Sequence, residues 1–208
     1  MRLWKKSGFT LVEMLMSAAI LSLVMAGGYM IFAAGENTWF TTEVSIRLQE
    51  NLRKSLDRMF RELHMTQTGQ FQILDAAGSN NSDAVRFSIP VVCHAGDLLI
   101  DAGGNVAHWG APLTWGCAGS ACMDADDDCG TVDYKSLEYR LNSDNQLVRR
   151  VLNAADSVIR EDIFAERISD LQITVNGRLM VLQLTTTHTA DNGRVLTAQA
   201  GTNIYLRN

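Results

Sequence analysis

A long uncharged stretch near the N-terminus constrains this chain more than any other feature. No charged residue occurs from Met14 to Ala34, and at about 1.5 Å per helical residue this stretch spans about 31 Å. That length matches the roughly 30 Å hydrocarbon core of a bilayer. No second stretch of similar length and composition follows it. The sequence therefore predicts a single membrane-spanning helix.

The charges that flank this stretch predict its orientation. Arg2, Lys5 and Lys6 precede it. The first charges after it are Glu36 and Glu43. Because the more positive flank stays in the cytoplasm, we expect a short cytoplasmic N-terminus and an exported remainder. The net charge is −5, and no basic cluster lies beyond the N-terminus, so no nucleic-acid partner is predicted.

One acidic residue, Glu13, lies at the start of the apolar region. A carboxylate in a spanning helix costs about 2.5–3.5 kcal/mol near the centre and less near the edge, and such residues usually have a partner. Two simple explanations of the N-terminus give Glu13 no role. One is a secretory signal cleaved between Val24-Met25-Ala26 and Gly27, and the other is a plain membrane anchor.

The stretch Gly8-Phe9-Thr10-Leu11-Val12-Glu13 resembles the processing signal of type IV pilins and pseudopilins. The resemblance implies that prepilin peptidase cleaves between Gly8 and Phe9, removes the basic leader 1–8 and methylates Phe9. It also implies that Glu13 meets the Phe9 amine of a neighbouring subunit and sets the register of assembly. Such an amine and carboxylate are each expensive to bury alone and much less so as a pair.

The helix is predicted to continue beyond the membrane. Apolar residues recur at helical spacing, and charged residues, Glu62 among them, occupy the other faces. A helix from about Phe9 to Thr66 would be about 87 Å long. We expect a transmembrane and assembly part over 9–34 and an amphipathic part over 35–66. The apolar stripe comprises Val44, Leu48, Leu52, Leu56, Met59, Phe60 and Leu63.

Downstream, the hydrophobic period changes to two and predicts an antiparallel β-sheet domain over 67–208. Hairpins are predicted over Ser136–Leu152 and Leu171–Thr186, the second with a type I′ turn at Asn176-Gly177. The segment from Ser157 to Asp170 is predicted to be a short helix or a loop. We expect one antiparallel sheet whose apolar face covers the helical stripe.

The predicted fold is α+β, with a long N-terminal helix packed on a C-terminal sheet, and it agrees with the architecture of the pilin family. The arginine pair Arg149-Arg150 and the C-terminal residues 206–208 resemble the J-type minor pseudopilins of type II secretion and related minor pilins. The resemblance implies a minor subunit at or near a filament tip, in the inner membrane with a periplasmic C-terminal domain. Its implied partners are other pilin or pseudopilin subunits, prepilin peptidase and the inner-membrane assembly machinery.

Residues 93–133 form a Cys- and Asp-rich loop insertion that is longer than most connections. In an exported domain an even number of cysteines favours two disulfides, and four cysteines allow three pairings. Zinc is the competing metal, with His94 and three of the cysteines as possible ligands, but the spacing lacks a C-x-x-C pair. The disulfide candidates are Cys93, Cys117, Cys122 and Cys129, and the first three are also the zinc candidates.

An aspartate run in the insertion matches the opening of a calcium loop. Alternating carboxylates converge on a hard cation at about 2.3–2.6 Å. However, Cys129 replaces the expected glycine, and Lys135 stands where a bidentate glutamate would close the loop. A solvated acidic loop is therefore an equal alternative. No cofactor is required, and the candidate ligands of a structural calcium ion are Asp124, Asp126, Asp128 and Asp133.

The sequence contains no nucleophile elbow, zinc-protease helix, phosphate-binding loop or dinucleotide fingerprint. A structural protein and not an enzyme is therefore predicted. The alternative is a single-pass anchored or secreted periplasmic protein unrelated to filaments, either a calcium-loaded binding protein or an enzyme.

Overall fold

The computed structural model describes residues 10–75, 83–91, 100–115, 134–190 and 193–207. The chain divides into two compact units, Met1–Val44 and Ser45–Asn208. The described elements are helix α1 (Leu11–Leu63) and strands β1 (Phe71–Asp75), β2 (Asp83–Phe87), β3 (Ile89–Pro90), β4 (Trp109–Gly110), β5 (Tyr134–Leu141), β6 (Leu147–Asn153), β7 (Val158–Ala165), β8 (Ile168–Asn176), β9 (Leu179–Thr189) and β10 (Val195–Tyr205).

In the first unit, the apolar side chains of α1 are exposed on every face. Leu15, Leu23 and Ile31 are 63%, 77% and 77% exposed. Among the described residues, α1 is the one helix long and apolar enough to cross a membrane. An apolar surface of this extent has to be covered by lipid or by other apolar helices.

In the second unit, the remaining turns of α1 pack on the β-sheets. One face of the helix is buried, because its apolar residues recur every three or four positions. The helix ends at Leu63 rather than at the predicted Thr66. There, the N–H groups of Met65 and Thr66 donate to carbonyls three residues earlier, which tightens the chain into turns. The buried members of the predicted stripe are Leu48, Leu52, Leu56, Met59 and Leu63, which confirms it over these positions.

Two main antiparallel sheets cover this helix face, whereas a single sheet was predicted. The larger has the strand order β1-β2-β5-β6-β7 and the smaller has the order β10-β9-β8. The short strands β3 and β4 form a separate pair. Both main sheets contribute side chains to one core around α1, for example Val151 from β6 and Leu182 from β9. The predicted α+β architecture, a long helix packed on C-terminal antiparallel strands, is confirmed.

The segment from Ser157 to Asp170 is not the predicted short helix or loop, because it forms β7 and the start of β8. Charged residues at 160–162 interrupt the apolar alternation and hide the strand. In the sheet these charges have partners, since Arg150 Nε donates to Glu161 Oε2 at 2.5 Å. At Arg167, which has a φ of 60°, the chain passes from the larger sheet into the smaller one.

Both predicted hairpins form, but one turn differs from the prediction. Asn176 pairs with Leu179, so Gly177 and Arg178 are the two central residues of the turn. Of these, Gly177 alone has a positive φ, at 61°. A positive φ at the first central residue alone defines a type II′ turn, so the predicted type I′ turn at Asn176-Gly177 is wrong.

The described part of the insertion, residues 100–115, pairs with a strand outside the insertion in the second unit. Its strand β4 pairs antiparallel with β3. A bridge between Ile100 and Val106 closes a small turn ahead of β4. The start and the end of the insertion lie outside the described residues.

Candidate functional site

The Glu13 side chain caps the first turn of α1. The backbone N–H and the hydroxyl of Thr10 donate to Glu13 Oε2 at 3.0 Å and 3.1 Å. In return, the Glu13 N–H donates to Thr10 Oγ1 at 3.3 Å. This reciprocal pattern is a capping box, which satisfies backbone donors that the first turn leaves unpaired. It also places a carboxylate at the positive end of the helix dipole.

The sequence predicts that Glu13 pairs between subunits, and this cap was not part of that prediction. The signal was present, because Thr10 and Glu13 have the T-x-x-E spacing of a capping box. The two roles are compatible in geometry. Thr10 occupies Oε2, whereas Glu13 Oε1 accepts no hydrogen bond from any described residue. The exposed carboxylate therefore retains one oxygen for a second donor.

The two serine hydroxyls in the apolar part of α1 are satisfied within the helix. Ser17 Oγ donates to the Glu13 carbonyl at 2.7 Å, and Ser22 Oγ donates to the Ala19 carbonyl at 2.8 Å. Such internal bonds let a hydroxyl lie in hydrocarbon without water. Glu13 therefore differs from these serines, because one of its carboxylate oxygens accepts no hydrogen bond from a described residue.

A second polar site lies inside the core of the second unit. Glu62 on α1, Tyr139 on β5 and Arg149 on β6 are 2%, 0% and 0% exposed. Arg149 donates through Nη2 to Glu62 Oε1 at 2.9 Å and through Nε to Oε2 at 3.0 Å. The Tyr139 hydroxyl donates to Glu62 Oε2 at 2.6 Å. These three residues are called the Glu62 network, and its bidentate geometry is the strong form of an arginine–carboxylate pair.

The Glu62 network also fixes the described end of the insertion. Arg149 Nη2 donates to the Pro112 carbonyl at 2.7 Å, and Nη1 donates to the Leu113 carbonyl at 3.3 Å. Trp115 Nε1 donates to the Arg58 carbonyl at 3.4 Å. The Arg58 guanidinium lies over the Trp115 ring, 5.5 Å from its centroid. The segment at 112–115 is therefore held against the last turns of α1.

The prediction that Glu62 lies on an exposed charged face of α1 is wrong. Glu62 falls between Met59 and Leu63 on the buried stripe, and a buried carboxylate requires a partner. That partner, Arg149, lies far along the chain. The pair Arg149-Arg150 carried a signal, since neighbouring strand residues face opposite sides of a sheet and one of the two had to face inward.

The other predicted site residues lie outside the described part of the chain. Within the described residues, no group of three or more His, Cys, Asp or Glu side chains is placed to hold a metal ion. The cleavage site, the disulfides, the calcium site and the zinc alternative therefore stay predictions. The residues concerned are Gly8, Phe9, Cys93, His94, Cys117, Cys122, Asp124, Asp126, Asp128, Cys129 and Asp133.

Comparison with known proteins identifies the N-terminal segment. Residues 5–29 match the prokaryotic N-terminal methylation motif. No curated protein and no solved structure matches the chain. The matched residues include Gly8, Phe9 and Glu13, so the chain has a type IV pilin-like N-terminus. Proteins with such an N-terminus are generally structural subunits, and the exposed apolar helix is consistent with anchoring in the inner membrane.

Replacing Arg149 by methionine should strongly destabilise the second unit. Glu62 would then be buried without its cation, which costs about 3–5 kcal/mol. Urea unfolding of the full-length protein in detergent measures this loss. The double variant Arg149→Met/Glu62→Gln removes both charges and leaves an acceptor for Tyr139, so it should recover much of the stability.

The exposed pair Asp57–Arg61 on the same helix provides the matched control. Its Nε–Oδ2 distance is 3.0 Å, and its side chains are 56% and 64% exposed. Asp57→Asn should change the free energy of unfolding by less than about 1 kcal/mol. Similar losses for Arg149→Met and Asp57→Asn would contradict a stabilising role for the Glu62 network.

The Glu62 network should also make stability fall at alkaline pH. Burial, and next the Glu62 carboxylate, raise the pKa of Tyr139 well above its usual value of 10.0, while Arg149 opposes the shift. Above about pH 10 the unfolded chain loses the tyrosine proton and the folded chain keeps it. Stability that is complete below this pH is therefore lost as pH rises, by about 1.4 kcal/mol per unit.

Unfolding free energies measured between pH 8 and 11 test this slope. Tyr139→Phe should be less stable at neutral pH but show a shallower alkaline loss. Tyr205→Phe, which alters a tyrosine that is 70% exposed, is the matched control and should keep the wild-type slope. An unchanged slope in Tyr139→Phe would refute the assignment.

Proposed function

We propose that this chain is a minor pilin or pseudopilin, processed by prepilin peptidase and assembled through its N-terminal helix. The filament is a type IV pilus or a type II secretion pseudopilus, and the subunit lies at or near its tip. The observation that carries the proposal is the methylation motif over residues 5–29, with Glu13 at the start of an exposed apolar helix.

Processing explains why the apolar helix needs a carboxylate. Cleavage between Gly8 and Phe9 removes the leader 1–8 and leaves an amine on Phe9, which the same peptidase methylates. This amine is a cation at the end of an apolar segment. In a bundle of apolar helices it is costly unless an anion lies beside it.

Glu13 of a neighbouring subunit supplies that anion. Thr10 engages Oε2 at 3.0 Å and leaves Oε1 open to a donor from outside the chain. One carboxylate can therefore cap its own helix and accept the Phe9 amine of its neighbour together. Since both charges occupy fixed positions on their helices, the pair sets the axial offset between adjacent subunits.

The second unit supports a structural role at a filament end. Two of its buried charged groups, Glu62 and Arg149, engage each other in the Glu62 network, and Arg149 uses its other donors on the backbone of the insertion. The Arg149-Arg150 pair and the size of the β-domain support a minor subunit over a major one. A bulky insertion is also easiest to accommodate at a tip, where one side of the subunit has no neighbour.

The insertion completes the proposal. Its four cysteines pair as two disulfides in the oxidising periplasm. Its aspartates, Asp124, Asp126, Asp128 and Asp133, hold a structural calcium ion that reinforces the loop. The Glu62 network supports this role because it anchors 112–115, the segment that leads into these residues.

Variants of Glu13 separate the cap from the intersubunit pair. Glu13→Gln retains a side chain that can complete the capping box but loses the charge, whereas Glu13→Ala loses both. Both variants should be cleaved normally after Gly8, and both should be depleted at least about tenfold from sheared or cross-linked filaments, the equivalent of about 1.4 kcal/mol.

Thr10→Val is the matched control for the cap. It removes the hydroxyl that closes the capping box but leaves the Glu13 charge, so incorporation should stay near the wild-type level. Wild-type incorporation of Glu13→Gln would show that the charge is dispensable, and the proposed pairing would then fail.

Calcium should stabilise the protein through the aspartate run. At about one hundred times the dissociation constant, bound calcium adds about 2.7 kcal/mol to the folded state. The melting temperature of the full-length protein should therefore rise with calcium, and Asp126→Ala should abolish the rise. Asp144→Ala, in an exposed turn of the β5–β6 hairpin, is the control. Identical melting curves with calcium and with chelator would exclude the site.

A further inference from the structure

β10 is an edge strand without the usual protection against further pairing. It pairs with β9 at every position from Val195 to Tyr205 without a bulge. It contains no charged residue and no proline. Proteins normally protect a sheet edge with charges, proline, bulges or a short strand, because unpaired backbone groups attract another strand. β10 has none of these features.

The other sheet edges in the described residues are protected. β7 has charged residues at 160–162 and a register shift against β6. β1 has five residues and ends in Asp75. On β8, the outer N–H of Ile173 donates to Asp83 Oδ2 at 2.7 Å. The absence of protection is therefore particular to β10 among these edges.

The outer backbone groups of β10 have no partner in the described part of the chain. An antiparallel strand directs its N–H and C=O groups to both sides, and β9 satisfies one side. No backbone hydrogen bond joins the other side of β10 to any described element. The side chains at the two ends of the strand, Val195 and Tyr205, are 58% and 70% exposed.

We propose that β10 pairs antiparallel with β10 of a second copy of this chain, which joins two three-stranded sheets into one sheet of six strands. Full overlap of the strands places the two-fold axis at Ala200. In that register Val195 faces the partner's Tyr205, and Tyr205 faces the partner's Val195. The two exposed apolar side chains of each strand thus cover one another, as an aromatic and β-branched cross-strand pair.

The remaining positions of β10 are also self-complementary in this register. On the outward face, Thr197 lies opposite the partner's Asn203, so polar groups meet polar groups. Gln199 lies opposite the partner's Gly201, which has no side chain to obstruct it. On the inward face, Leu196 lies opposite the partner's Ile204 and extends the apolar core.

These matches favour a second copy over an unrelated strand. A two-fold interface requires that each residue suit both its own position and that of its mate. With no charge on β10, the pairing brings no like charges together. The pairing uses a surface of the second unit that is separate from Glu13, so it does not depend on the proposed assembly role of α1.

A photo-cross-linking experiment tests the pairing in the full-length protein in its own membranes. With p-benzoylphenylalanine in place of Tyr205, irradiation should give a product of twice the subunit mass. Mass spectrometry should show the link in the peptide that contains Val195. The same probe in place of Ile163, an exposed residue on β7, should give no such product.

A charge at the edge should then break the pairing. Gln199→Lys places two ammonium groups diagonally across the two-fold axis and should reduce the cross-linked dimer about fivefold. Gln183→Lys makes the same change on the same sheet face but on β9, opposite Gly201, and should leave the dimer intact. Leader cleavage in both variants should equal wild type, which shows that the chain is inserted and processed.

Three outcomes would overturn the proposal. They are no dimer from the probe at Tyr205, a link only to a different protein, and equal loss of the dimer in Gln199→Lys and Gln183→Lys.

Discussion

An exposed apolar helix with one carboxylate at its start is the constraint on which the rest of this molecule depends. No described residue of the first unit covers Leu15, Leu23 or Ile31. Lipid can cover them while the subunit is in the membrane, but the hydrocarbon core of the bilayer offers no cation to Glu13. In the proposed assembly, a neighbouring chain with a new amine on Phe9 supplies both apolar cover and a cation.

The second unit handles the buried charge of Glu62 in the opposite way, by internal pairing. Arg149 and Tyr139 saturate Glu62, and the spare donors of Arg149 hold the backbone of the insertion. The Glu62 network therefore needs no outside partner. The β10 edge differs, because its outer backbone groups have no partner among the described residues. In our proposals the two units thus associate by separate means, one through charge in apolar surroundings and one through backbone hydrogen bonds.

Features governed by local periodicity could be predicted from the sequence, and features governed by distant contacts could not. The stripe from Leu48 to Leu63 and the two hairpins follow from spacings of a few residues. The Glu62–Arg149 pair joins residues 87 positions apart, and no local pattern reveals it. β7 was missed because its charges break the alternation, and their partners lie partly on the neighbouring strand, as in the Arg150–Glu161 pair, and partly on β7 itself, as in the Arg160–Asp162 pair. The capping role of Glu13 could have been predicted from its T-x-x-E spacing to Thr10. It was missed because the same residues belong to the processing motif, which assigned Glu13 another role.

The mass of the mature protein purified from membranes tests whether the chain is processed as a pilin-like subunit. We expect a chain that lacks residues 1–8 and begins with Phe9 carrying one methyl group. An N-terminus at Gly27 would indicate ordinary secretion, and an intact Met1 would indicate a simple anchor. Either result would contradict the assignment of this chain to a pilin-like filament.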